Sequence, residues 1–291
     1  MIWAFLCLFL TIPAIGQQKT TEAPILYGPC SIEQLKAAPY GTWFTPAFEQ
    51  YTPDSATVEQ IKKEMSGKMS IRIFFGSWCG DSKRELPRFI KLLSAISFPV
   101  EKISIIGVGN GDSLYKQSPS HDEAGLGIFR VPVFIVNNNG KELNRINEYP
   151  VLSLENDLLR IFSKQAYSPN YRSFGLVMQW LNEGSLLHKN TSIRGLAEQI
   201  RYLVSSEHEL NSLGYLLIRQ ARKEEALHLF RINYYLYPES SNTASSLGEG
   251  YLLNGNKKEA VDYLEHAVSL NKDPALFKEI LSLLYKAKEI K

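Results

Sequence analysis

Apolar and polar positions follow two different patterns along the chain, and the difference predicts two architectures. In the first half, a β-prone apolar run at residues 70–75 ends abruptly and is followed by apolar residues at helical spacing. This pattern predicts a strand that leads into a helix. Further runs predict more strands, the last two joined by a tight turn, and more helices. These are strands at 103–108, 129–136 and 141–146 and helices at 54–65 and 151–162. The first half is therefore predicted to be an α/β domain.

The second half of the chain repeats itself with a period of 34 residues. The recurring residues are Leu213, Gly214, Ala226 and Phe230, matched by Leu247, Gly248, Ala260 and Leu264. A glycine where two helices cross and an alanine where they touch indicate helical hairpins, and the period resembles that of tetratricopeptide repeats. We therefore expect an all-α helical-hairpin domain with two repeats at 207–274 and a capping helix at 275–291. Residues 165–206 are predicted to form a linker and a helical segment.

The end of the strand at 70–75 carries the candidate chemistry of the chain. Trp78, Cys79 and Gly80 stand between this strand and the helix that follows. Cys79 is thus predicted at a helix N-terminus, where unpaired backbone N–H groups and a partial positive charge favour thiolate over thiol. Cys79 is therefore a candidate nucleophile.

This stretch resembles the active-site segment of the thioredoxin superfamily. In that family Trp-Cys closes a strand and opens a helix, and a proline follows eight residues after the cysteine. Trp78, Cys79 and Pro87 fall on those positions, and Pro132 falls where the family carries its cis-proline. The resemblance implies an α/β thioredoxin-like domain at 54–164, with a central mixed sheet flanked by helices.

The resemblance also implies roles for individual residues. Cys79 would be the nucleophile, with Trp78 and Pro132 shaping a cleft beside it. Arg130, the second residue before the cis-proline, would meet a substrate backbone or an anionic group. The candidate residues of this substrate cleft are Gly80, Asp81, Arg130 and Val131.

Two positions depart from the family pattern. Ser82 stands where the second cysteine of the catalytic motif belongs, and Ile73 stands where thioredoxins carry a buried aspartate. Without a thiol at position 82 an internal disulfide cannot close, so a dithiol reductase is not expected. Two functions stay open. One is monothiol thiol-disulfide exchange through Cys79, isomerase-like or deglutathionylating, with protein or peptide thiols and disulfides or glutathione as partners. The other is a non-enzymatic protein-binding platform in which Cys79 is redox-silent.

The beginning of the chain predicts export. Residues 2–15 are almost wholly apolar, and small residues precede Gln17, which is typical of a secretory signal at 1–16 cleaved near Gly16. A retained anchor or a buried N-terminal helix are the alternatives, although the run is short for a membrane span. We expect a periplasmic or secreted protein with no stable membrane span after cleavage. Residues 17–53 show no clear period and are expected to wrap the α/β domain as an N-terminal extension.

The chain has three cysteines, of which Cys7 would leave with the signal. In an oxidising compartment Cys30 is a candidate resolving thiol that pairs with Cys79, or a static lock on it. The alternative is that Cys30 is a small buried apolar residue.

Composition and motifs exclude several classes of function. The chain has 291 residues, 44% of them hydrophobic and 21% charged, with a net charge of +2. This describes two folded cores without the basic surplus of a nucleic-acid-binding protein. The sequence has no Gly-rich phosphate loop, so no cofactor is expected. His121, Asp122 and Glu123 are adjacent in one loop, which is poor geometry for chelation, so no metal site is expected either.

Two surfaces each allow two interpretations. Lys83 or Arg84, near the first helical turn, would either support the Cys79 thiolate or form part of a solvated helix face. The inner groove of the repeats would either bind a protein partner or belong to a purely structural appendage. The residues expected to line this groove are Asn211, Tyr215, Ser245 and Glu249.

Overall fold

The computed structural model describes residues 23–111 and 114–289, so the predicted signal at 1–16 lies outside the described residues. The first part of the chain contains β1 (Gly28–Cys30), α1 (Ile32–Lys36), α2 (Gly41–Gln50), α3 (Ser55–Glu64), β2 (Met69–Phe75), α4 (Gly80–Ala95), β3 (Ile103–Gly107), β4 (Val133–Asn138), β5 (Lys141–Asn147) and α5 (Leu154–Phe162). The second part contains α6 (Ser173–Glu183), α7 (Ile193–Ile200), α8 (Glu207–Arg219), α9 (Lys223–Leu236), α10 (Ser241–Leu253), α11 (Lys257–Leu270) and α12 (Pro274–Glu289). Within the described ranges, every helix is too short or too polar to cross a bilayer.

The first part is an α/β domain built on one mixed sheet with the strand order β1-β3-β2-β4-β5. The central strand β2 is parallel to β3 and antiparallel to β4. The edge strands β1 and β5 run antiparallel to β3 and β4 respectively. A parallel pair needs a crossover connection, and α4 lies in the connection between β2 and β3. The carboxyl end of β2 therefore leads directly to the N-terminus of α4.

Side chains of β2 alternate between two apolar clusters, one on each face of the sheet. Ile71, Ile73 and Phe75 belong to the cluster that α4 covers, whereas Phe74 belongs to the cluster on the opposite face. Side chains of a strand point to opposite faces in turn, so residues 73–75, which are covered on both faces, are all apolar, whereas Arg72 on the second face is exposed. This short apolar run gives β2 its signal in the sequence.

The N-terminal segment, which showed no period in the sequence, adds a strand and two helices to the α/β domain. β1 pairs with β3 so that Cys30 lies opposite Ile105. α2 brings Phe44 into the main core. The strand has only three residues, and α2 contains Pro46, so neither element has enough periodic positions to be recognised from the sequence.

The second part is a helical domain in which α8 and α9, and then α10 and α11, form successive hairpins. A Cβ atom at Gly214 would lie 2.3 Å from Phe230, and one at Gly248 would lie 2.6 Å from Leu264. Both glycines are therefore required where the two helices of a hairpin cross. The 34-residue period of the sequence thus corresponds to one close crossing made twice.

The two parts of the molecule pack against each other. Phe129 of the α/β domain belongs to the apolar core of the helical domain, where its ring meets Phe174 edge-on with centroids 5.2 Å apart. The connecting residues 165–171 are also attached to the α/β domain, since the Tyr167 hydroxyl donates to Asp157 over 3.0 Å and Asn144 donates to the Tyr167 carbonyl over 3.1 Å. The connection predicted as a linker is thus held by side chains of the first domain.

Candidate active site

Cys79 lies at the junction of β2 and α4. It is the N-cap residue of α4, with extended backbone angles, and the following helix is 16 residues long. Its partly exposed thiol donates to the carbonyl oxygen of Val131 over 3.3 Å. The Cys79 side chain makes no capping hydrogen bond, and the partial positive charge at the start of a helix favours thiolate over thiol at such a position. The predicted placement of Cys79 at a helix N-terminus is confirmed.

The segment opposite Cys79 contains a cis peptide bond between Val131 and Pro132. Both residues are buried, and the Pro132 carbonyl accepts from the backbone N–H of Glu148 over 2.7 Å. The structure therefore brings Cys79 to the Val131–Pro132 segment, which lies more than fifty residues later in the sequence.

Trp78 is fixed beside the thiol by two contacts and by its close approach to Gly76. Its indole N–H donates to the Val108 carbonyl over 2.9 Å, and its ring stacks on Tyr115 with centroids 6.0 Å apart. A Cβ atom at Gly76 would lie 2.6 Å from the indole. Gly76 therefore allows Trp78 to fold back over the end of β2 and form one side of the site.

Ser82 and Ile73, the two departures from the family motif, are both fully buried. The Ser82 hydroxyl oxygen accepts from the backbone N–H of Gly76 over 3.1 Å. Ser82 thus ties the first turn of α4 to the end of β2 instead of supplying a second thiol. Ile73 packs in the main apolar core, so no carboxylate lies at that position.

Gly80 and Asp81 open α4 on the solvent side of Cys79, where Gly80 is exposed. Asp81 forms an ion pair with Arg84 over 2.8 Å, and Arg84 also pairs with Glu85 over 2.6 Å. These two acidic partners hold the Arg84 guanidinium along the surface of α4. Of the two basic residues that the sequence suggested as support for the thiolate, Arg84 is therefore committed to carboxylates.

Arg130 points to the helical domain. Its guanidinium donates to the Ser212 hydroxyl of α8 over 3.1 Å, lies 3.5 Å from the Glu148 carboxylate and stacks on the Tyr171 ring at 5.2 Å. The Tyr171 hydroxyl in turn donates to Glu148, and burial together with this carboxylate raises the pKa of Tyr171. Arg130 thus joins the cis-proline segment to the first helical hairpin, a role that the sequence did not predict.

Cys30 lies in a different environment from Cys79, and the two thiols are not bonded to each other. It packs against the main apolar core from the edge strand β1, whereas Cys79 packs against the cluster on the opposite face of the sheet. Burial raises the pKa of the Cys30 thiol to about 12. The structure therefore matches the alternative in which Cys30 is a packing residue, and it does not bring Cys30 to the site.

A buried lysine that the sequence did not single out lies beside the site. Lys116 is 7% exposed, and its ammonium donates to the Phe129 carbonyl over 2.9 Å. Burial is the main reason that the pKa of Lys116 falls to about 8. Lys116 and its neighbour Tyr115 belong to an irregular loop between β3 and β4, where no periodicity marks a residue as buried. No signal in the sequence could have identified them.

The acidic residues near His121 make hydrogen bonds within their own loop. Glu123 accepts from the backbone N–H of Ser118 over 2.8 Å, which explains the cluster around His121 as a loop-forming contact. Within the described ranges no group of His, Cys, Asp and Glu has the arrangement of a metal site.

In the predicted groove of the repeats, the Tyr215 hydroxyl donates to Glu249 over 2.9 Å, so these two residues bridge α8 and α10. Asn211 and Ser245 are also on these two helices, both buried.

Comparisons with known proteins give one short similarity. The chain is 34% identical over 74 residues to anaphase-promoting complex subunit 6 of Dictyostelium discoideum. This stretch is 25% of the chain, and the chain spans 9% of that protein's length. No family model matches the chain, and no solved structure matches it.

Proposed function

We propose that the α/β domain has the thioredoxin fold and that Cys79 performs monothiol thiol-disulfide exchange. The observation that carries this proposal is the placement of the Cys79 sulfur, at the start of α4 and 3.3 Å from the carbonyl oxygen that precedes cis-Pro132. A thiol at a helix N-terminus is an activated nucleophile, and the partial exposure of Cys79 leaves it accessible to a disulfide.

The exchange would proceed in two steps. The Cys79 thiolate attacks one sulfur of a substrate disulfide, forms a mixed disulfide with it and displaces the other sulfur as a thiolate, which takes up a proton. A second thiol, from outside the protein, then attacks the mixed disulfide and releases Cys79. Ser82 cannot perform the second step because it has a hydroxyl in place of the thiol. The net reaction is disulfide isomerisation or removal of glutathione, and no net oxidation or reduction is required of the protein.

Trp78, Gly80 and the cis-proline segment would form the cleft for an extended substrate. Trp78 is held by Val108 and Tyr115, and exposed Gly80 leaves one side of the thiol open. Half-buried Asp81 would border the same opening, whereas Val131 is buried and contributes its carbonyl oxygen. Arg130 contributes by fixing the segment before Pro132 rather than by meeting substrate, since its guanidinium is taken by Ser212 and Glu148.

We further propose that the helical domain consists of tetratricopeptide repeats that bind a protein partner. The glycine-mediated crossings at 34-residue spacing support the repeat type, and the similarity to a subunit of a protein complex supports protein binding. We also propose the periplasm or extracellular space as the location of the protein, which the apolar run at residues 2–15 supports. In that location disulfide substrates are available.

A non-enzymatic platform is the second candidate function. The contacts of Arg130 and Glu148 with Tyr171 and Ser212 support it, because they join the two domains into one surface next to Cys79. In such a platform the thiol would not react, and the helical groove would carry the binding.

Incubation with oxidised glutathione separates the two functions. We expect the protein with residues 17–291 to accumulate one glutathionyl adduct, located at Cys79 by peptide mapping. Cys79→Ser should abolish the adduct, whereas Cys30→Ser, the matched control, should retain it. If Cys79 stays unmodified in a folded protein while Cys30 or no residue reacts, exchange through Cys79 is wrong and the platform is favoured.

A further inference from the structure

The burial of Lys116 beside the thiol calls for a physical reason. A buried ammonium loses its hydration, and one hydrogen bond to the Phe129 carbonyl together with the Tyr115 ring at 5.0 Å replaces only part of it. An apolar side chain of similar length would fill the same space without this loss. Buried ionisable groups of this kind are concentrated at functional sites.

Two independent contacts hold Lys116 next to Cys79. The Lys116 ammonium and the Cys79 thiol donate to the carbonyl oxygens of Phe129 and Val131, which are two residues apart in the same segment. In addition, their chain neighbours Tyr115 and Trp78 stack on each other. The two side chains are therefore attached to one short segment and to one aromatic pair.

The charged groups that face Lys116 come from every element around it. Arg130 of the cis-proline segment and Arg219 of α8 lower its pKa, while Glu148, which follows β5, and Cys79 raise it. A positive charge near a thiol favours its thiolate, so an ammonium held by the same segment as Cys79 would support a negative charge on the Cys79 sulfur.

We propose that Lys116 is the positioning residue that supports the Cys79 thiolate from the loop between β3 and β4. This inference rests on the proposed function of Cys79. Lys116 would thus take the role that the sequence suggested for Arg84. Because Lys116 is buried, its attraction to a negative sulfur is screened less than that of a surface cation. The helical domain also contributes to this environment. The Arg219 guanidinium on α8 lies 4.6 Å from the centroid of the Tyr115 ring, and its positive charge lowers the pKa of Lys116.

The pH dependence of Cys79 alkylation by iodoacetamide tests the proposal. In Lys116→Met the pH at which Cys79 reaches half of its maximal rate should rise by about one unit, because an adjacent cation typically shifts a titration by one to three units. The rate well below that pH should fall about tenfold. Lys116→Arg should restore the wild-type profile. Lys91→Met, the matched control, removes a lysine of α4 that lies over the Phe48 ring and should leave the profile unchanged.

A second measurement does not depend on the folding of the Lys116 variants. Nitrogen-15 NMR of the lysine side chains should show that the Lys116 ammonium loses its proton at lower pH in Cys79→Ala than in the wild type. Identical titrations in the two proteins would overturn the proposal. So would an unchanged alkylation profile in a Lys116→Met protein with native circular dichroism.

These outcomes are distinct from a failure of the proposed function. If Cys79 forms its glutathionyl adduct in the wild type and Lys116→Met behaves identically, the role of Lys116 is wrong and exchange through Cys79 stands. If no adduct forms at any pH, the exchange function is wrong. The NMR comparison then still decides whether Lys116 and Cys79 are coupled.

Discussion

Cys79 and Cys30 carry the same thiol in opposite surroundings. Cys79 caps a 16-residue helix, is partly exposed and donates to a carbonyl next to a cis-proline. Cys30 lies in a three-residue edge strand against the apolar core, where burial raises its pKa to about 12. The position of a cysteine in the fold therefore separates a candidate nucleophile from a packing residue.

The largest expected effect is a difference in alkylation rate between the two cysteines. At pH 7.5 we expect iodoacetamide to modify Cys79 at least about a thousandfold faster than Cys30, because a thiol with a pKa near 12 has almost no thiolate at that pH. Peptide mapping by mass spectrometry over a time course gives both rates in one sample. Comparable rates in a protein with native circular dichroism would show that the two thiols do not differ in reactivity.

The next prediction concerns the second cysteine of the family motif, which is replaced by Ser82 in this chain. Ser82→Cys should place a second thiol on the first turn of α4 and shorten the lifetime of a Cys79 mixed disulfide about tenfold or more, because intramolecular attack replaces collision with an outside thiol. The lifetime is followed by release of glutathione from the preformed adduct.

Ser82→Ala is the matched control for this change. It also removes the hydrogen bond to the Gly76 N–H, which should cost about 1–3 kcal/mol of stability, but it adds no thiol. An equal shortening in Ser82→Ala would show that the loosened turn, rather than the new thiol, speeds release.

The sequence predicted the elements of the site better than its surroundings. β2, α4 and the turn between them were predicted because an apolar strand ends sharply and apolar residues then recur at helical spacing. The cis peptide bond before Pro132 was expected from the family resemblance. The contacts of Arg130 with Ser212, by contrast, join residues 82 positions apart, and no local pattern specifies which side chains meet across two domains.

The environment of Cys30 should also appear in the pH dependence of stability. Its thiol pKa is raised in the folded state from an ordinary value of 9.0 to about 12, so above pH 9 the unfolded chain loses a proton that the folded protein keeps. Stability from Cys30 is therefore present below pH 9 and is lost by about 1 kcal/mol per pH unit above it.

Chemical denaturation of the wild type and Cys30→Ala between pH 7 and pH 10 measures this loss. The comparison must be made between variants, because Lys116, with its lowered pKa of about 8, acts in the opposite direction over the same pH range. The free-energy difference between the two proteins should shrink as pH rises above 9. A constant difference would show that Cys30 titrates normally and is not enclosed.

The smallest effect should come from moving Trp78. Gly76→Ala places a Cβ atom 2.6 Å from the indole, so the ring must shift, at a cost of about 1–3 kcal/mol. We expect altered tryptophan fluorescence and a change of a few fold in the alkylation rate of Cys79, with no change for Cys30. Gly67→Ala, where a Cβ atom meets nothing within 4 Å, is the control and should change neither rate. Equal effects of both substitutions would show that the position of Trp78 does not influence the Cys79 thiol.

Turnover on a glutathionylated peptide tests whether Cys79 alone carries the exchange. With excess reduced glutathione, the wild type and Cys30→Ser should release the peptide thiol catalytically, at a rate that rises with glutathione concentration because the resolving thiol comes from outside. Cys79→Ser should show only the uncatalysed rate. Full activity in Cys79→Ser, or no catalysis by a folded wild type, would contradict the claim that a single thiol at Cys79 carries the exchange.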